Sequence, residues 1–228
     1  MAARVQLKIA APVYMQFLNL KNEINAHPHP AMTQALGNTL ADIACAMVDQ
    51  VFGELAQAAH ATQQNYESEQ TIEQIRGVIR KHLPWALGLF KPERLTPMVN
   101  YLYDMTRVEG GQPYLSYPID PALAHAFLDH QQQVNAGQVD AIPLAFKTLT
   151  QIVDCGVTHL LHEPKKMLNF NFMVDKSLSG VIHLTTQMAY KRLEKVGQQL
   201  ALPAAQHYLQ HFAAFILLDH TGSAHETG

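Results

Sequence analysis

Charge is the first thing this sequence has little of. Lys, Arg, Asp and Glu make up 15% of its 228 residues, against roughly a quarter in an average soluble domain. A surface so thinly charged is weakly hydrated and leaves room for contacts with a partner or a second copy. A basic excess is missing too, since 16 Lys and Arg against 19 Asp and Glu leave a formal charge of −3. That argues against a nucleic-acid binder, which displaces counterions from phosphate with a cationic face.

Cysteine is nearly absent. Cys45 and Cys155 are the two in the chain; they form no disulfide framework and match no zinc-ribbon or CxxC spacing. Long apolar runs are missing as well. "LPWALGLF" and "FAAFILL" fall far short of the roughly 20 residues of a membrane span. The opening "MAARVQLKIAAPVYM" is too short and too interrupted for a secretory leader, so the expected location is the cytoplasm. No glycine-rich phosphate loop, no GxSxG nucleophile turn and no HExxH zinc pattern occurs.

What the chain does have is apolar residues, 48% of the total, and thirteen histidines. The first is enough for a sizeable core. The second makes solubility sensitive to pH, because unperturbed imidazoles titrate near pH ~6.5.

Apolar spacing of three and four dominates, and the expected fold class is all-α. It is a mainly helical bundle of seven to eight helices, with short extended segments near Val5, Tyr114 and Phe170. Val13, Phe17, Leu20 and Ile24 share a helical stripe that "HPHP" ends. Leu36, Leu40, Ile43, Met47, Val51 and Leu55 form the strongest stripe, on a long helix flanked by small residues. Ile72, Ile75 and Ile79 carry the next, up to Pro84. Thr96-Pro97 and Asp120-Pro121 each read as a helix start. "EGGQPYLSYPID", residues 109–120, reads as a long loop where two halves of a single 1–220 helical domain meet, or as a functional loop within it. The last helices are expected from about Asp175 to Leu200 and from Pro203 to about Leu218, followed by a disordered tail over 221–228.

The most suggestive stretch is "DCGVTHLLHEP", residues 154–164. At ~100° per residue, Ile142, Phe146, Leu149, Val153 and Leu160 fall within about 40° of one direction, the buried stripe. Cys155, His159 and His162 share a face turned away from it. A thiolate and two imidazoles can ligate zinc, but one straight helix rarely closes a site. His207 and His211 form a similar pair opposite Tyr208, Phe212, Phe215 and Ile216. A third polar stripe, His183, Tyr190 and Glu194, carries acid–base chemistry if it faces a pocket, and otherwise is a solvated helix face. The aromatics Trp85, Tyr101, Tyr103, Tyr114 and Tyr117 gather near the middle of the chain. They mark where a pocket for an apolar or planar ligand would be sought.

The first expectation for function is a non-enzymatic interaction or regulatory protein that self-associates or binds a protein partner, with no nucleic acid and no membrane span. The alternative is a helical bundle that binds a small apolar or planar ligand, haem or a metal ion. An enzyme with a helical active site built on the His/Tyr/Glu stripe comes third. No cofactor is implied by a motif; the histidines would suit haem or a transition metal.

Overall fold

A computed structural model describes residues 2–59, 65–168, 170 and 172–219, with side chains described outside 54–68. The order of elements is β1 (Ala2–Lys8), α1 (Ala11–Ala26), α2 (Ala31–Ala59), α3 (Asn65–Leu87), a short 3-10 turn (Pro92–Leu95) and α4 (Thr96–Asp104). Next come β2 (Thr106–Glu109), β3 (Gln112–Ile119), α5 (Pro121–Asn135) and α6 (Ala141–Val157). A π-helical turn (Thr158–His162) leads into α7 (Glu163–Met167), and the described chain continues through α8 (Phe172–Gln199), α9 (Leu202–Ala213) and β4 (Ile216–Asp219).

The fold is mainly helical, but it is not all-α: among the described residues four strands form one antiparallel sheet in the order β2-β3-β1-β4. This corrects the expected class, and the correction has a physical origin. Each strand is short, and apart from the β2–β3 hairpin the pairings join segments far apart in sequence. β1 pairs with β3 (Val5 opposite Tyr117) and with β4 (Val5 opposite Ile216), so the sheet joins segments near both ends of the described chain to its middle. The extended pieces expected at Val5 and Tyr114 are β1 and β3. The one expected near Phe170 falls partly on residues 169 and 171, outside the described residues, and Phe172 onward belongs to α8.

Residues 109–120 are mostly strand. Gly110 and Gly111 take φ of +57° and +81°, the left-handed turn that glycine accepts without a Cβ penalty, and β3 follows in pairing with β2 on one side and β1 on the other. The two prolines of β3, Pro113 and Pro118, hide it from a sequence reading, because proline normally argues against an interior strand. The expected helix from Pro203 to Leu218 stops at Ala213, and the chain then turns into β4. The 221–228 tail lies outside the described residues.

Local rules account for the helix boundaries. Pro12 and Pro121 stand in the first turns of α1 and α5, and Asp120 caps α5 by accepting from the Ala122 amide at 2.8 Å. α2 and α3 lie side by side at close range. A Cβ on Gly37 would come within 2.5 Å of the Pro84 Cα, so that crossing depends on a bare glycine.

Candidate functional site

The sheet, α5, α6 and α9 enclose a core of aromatic rings. Phe127, Phe146, Tyr208 and Phe212 are all but fully buried. Phe146 stacks on Tyr208 at 5.5 Å between centroids, and Phe127 meets Phe212 edge-on at 5.5 Å. Tyr208 keeps its hydroxyl satisfied there by donating to the Val51 carbonyl at 2.7 Å.

On the other side of the sheet's helices the packing changes. α2, α3, the α6–α7 rod and α8 surround a half-enclosed cavity of about 300 Å³. Its walls are almost wholly apolar and mostly aliphatic: Leu40, Ile43 and Met47 of α2, Ile75 and Ile79 of α3, and Val181 of α8 are representative, with the rings of Phe17, Phe52 and Phe170 among them. Leu7, Leu115 and Tyr117 of the sheet form its floor. On α2 the lining runs from Leu40 to Phe52, about 18 Å along the axis at ~1.5 Å per residue; on α8 it runs a similar distance, from Leu178 to Tyr190. The space is therefore long as well as apolar.

The π turn at Thr158–His162 shapes this wall. A π turn adds a residue to a helical turn and rotates everything after it. Val157, Leu160, Leu161, Pro164 and Leu168 all reach the cavity. This also breaks the constant 100° step used to place Cys155, His159 and His162. Cys155 and His159 are half-buried and His162 is exposed. Burial, then the neighbouring Asp154 carboxylate, push the Cys155 thiol above its usual range, which disfavours the thiolate that a metal needs. Among the described residues no three His, Cys, Asp or Glu side chains group as metal ligands.

The remaining candidates are dispersed. His207 is exposed, while His211 Nε2 lies 3.1 Å from the Gln50 carbonyl and its ring packs edge-on to Phe215. His183 and Glu194 are exposed, whereas Tyr190 of the same helix is half-buried on the cavity wall and donates to Asp154 Oδ1 at 2.7 Å. Burial first, then that hydrogen bond, push the Tyr190 phenol well above its ordinary range, so it stays protonated rather than acting as a base.

Of the five central aromatics, Tyr117 reaches the cavity. Trp85 is 45% exposed, edge-on to His82 of the cavity wall. Tyr103 carries Lys21 over its ring at 4.3 Å, and Tyr101 is half-buried near Glu163. Tyr114 stands in β3 opposite Lys8 and Arg107.

Sequence reasoning did not find the chamber itself. Its walls carry the same three-and-four aliphatic spacing as any core-facing helix. The nearest available signal was chemical: the stripes around it are mostly Leu, Ile and Val, whereas α5, α6 and α9 bring four rings together.

Among the described residues no helix is long and apolar enough to cross a membrane. No protein-family model, curated protein or solved structure matches this chain, so the site has to be interpreted from its own geometry.

Proposed function

We propose that this protein binds an elongated, apolar small molecule in the chamber between α2, α3, α6–α7 and α8. The supporting observation is the cavity's size combined with its lining. At about 300 Å³ it has twice the volume of the roughly 150 Å³ apolar cavity that takes up benzene in an engineered protein. A guest that fills this half-enclosed space takes its own apolar surface and that of the walls out of water. Titration with 2-ethylnaphthalene, followed by its fluorescence and by thermal unfolding, tests the reading. Saturable binding with a rise in Tm is expected; absence of saturable binding rejects it. An absorption spectrum of the purified protein separates a colourless guest from haem.

Self-association is the second reading, and α8 supports it. Phe172 and Met173 are each 81% exposed and Leu184 is 66% exposed, an unusual run of bare apolar side chains on one helix. Light scattering is expected to report a dimer, and Leu184→Lys a monomer. A strictly monomeric native protein removes this reading without touching the first.

A further inference from the structure

Among the described residues, five hydroxyl-bearing side chains line the cavity, those of Thr106, Tyr117, Thr185, Thr186 and Tyr190. Four are committed within the protein. Thr106 donates to the Tyr103 carbonyl at 2.8 Å, Thr185 to Val181 and Thr186 to Ile182 at 2.9 Å each, and Tyr190 to Asp154 at 2.7 Å. Tyr117 differs. It is 3% exposed, and among the described residues its hydroxyl has no hydrogen-bond partner. The oxygen is not among the fully buried unpaired side-chain atoms, so it keeps accessible surface on the cavity wall, where an acceptor carried by a guest can reach it.

The ring is held firmly. Tyr117 stands in β3 opposite Val5, and its tip lies over Gly156 of α6, so closely that a Cβ there would sit 2.9 Å from Cζ and 3.0 Å from the hydroxyl oxygen. Burial raises the phenol well above its ordinary range, which keeps it a neutral donor.

Charge on the guest is disfavoured by the rest of the lining. Lys165 is the lining ammonium, and it is already engaged, with Nζ 2.6 Å from Asp175 Oδ1 and donating to Ser179 Oγ at 2.7 Å. A carboxylate or phosphate drawn between these mostly apolar walls would be desolvated while the Lys165 ammonium is already held by Asp175.

Building on the binding reading above, we infer that Tyr117 is the specificity-determining donor of the chamber. Its guest is an uncharged, elongated hydrophobe that carries a hydrogen-bond acceptor, such as a carbonyl oxygen, at the Tyr117 end.

A matched pair of probes tests this. 2-Acetylnaphthalene and 2-ethylnaphthalene are close in shape and differ by one acceptor oxygen. Each is titrated into the native chain and into Tyr117→Phe. The variant loses a hydroxyl that has no partner, so its fold should persist, with an unchanged or higher Tm. The expected result is about tenfold weaker binding of the ketone to the variant, the worth of one buried hydrogen bond, with the hydrocarbon unchanged within about twofold. The carbonyl stretch of the bound ketone should also shift to higher frequency in the variant. If both probes bind the two proteins alike, Tyr117 is not the anchor, although the chamber still binds. If neither probe binds the native chain, both this inference and the reading beneath it fall.

Discussion

The two sides of this molecule solve the packing problem differently. Around α5, α6 and α9, flat rings lie against each other and against bare backbone: a Cβ on Gly197 of α8 would fall 2.5 Å from the Phe146 Cβ. Around α2, α3 and the first half of α8, branched aliphatic side chains face one another across about 300 Å³. Both regions satisfy the same sequence rule, an apolar stripe facing inward. What separates them is shape. Rings seated over glycine close the gap, whereas Val, Ile and Leu on four helices that all flank one long space do not.

The largest effect should come from the closed side. Phe146→Ala removes a ring that is 1% exposed and stacked on Tyr208, and should cost about 4 kcal/mol in denaturant unfolding. A much smaller cost would mean that the aromatic core is looser than its geometry.

Alkaline pH should strain the same region next. Burial raises the phenols of Tyr117 and Tyr208. Each therefore contributes stability that is complete below its unfolded value near pH ~10 and declines as pH rises from there toward the folded value, by up to about 1.4 kcal/mol per pH unit. Spectrophotometric titration should find a fraction of the eight tyrosines that ionise only as the protein unfolds. Uniform titration near pH ~10 would contradict their burial.

Two glycines of α8 sharpen the contrast. Gly197→Ala drives a methyl into Phe146 and should destabilise by about 2 kcal/mol. Gly180→Ala meets nothing within 4 Å and should stabilise the helix by about 0.5–1 kcal/mol. Equal effects in thermal unfolding would show that the two halves of α8 are packed alike.

The helical side of this architecture was readable from spacing. Leu36, Ile43, Met47 and Val51 of α2, and Ile142, Phe146 and Leu149 of α6, are all buried, as their periodicity required. The sheet was harder to see. β4 is the apolar run "ILLD", which continues the pattern of α9 and becomes a strand only because β1 lies alongside it. β3 looks like a loop because of its two prolines and the glycine pair just before it. For the candidate site, spacing identified aromatics worth inspecting, and Tyr117 alone among them lines the chamber. The π turn after Val157 left no local signature in "THLLH", so the facing of residues beyond it could not be computed from a constant step.

The central claim is that the aliphatic side is a chamber rather than loosely packed core. Ala189 lines it beside Tyr190. Ala189→Leu fills part of the space and should raise stability by about 1 kcal/mol while weakening binding. The most direct measurement is the Tm shift produced by saturating 2-ethylnaphthalene in the native chain and in Ala189→Leu. The account predicts a clear rise for the native chain and little or none for the variant. Equal shifts in both, or none in either, would contradict it.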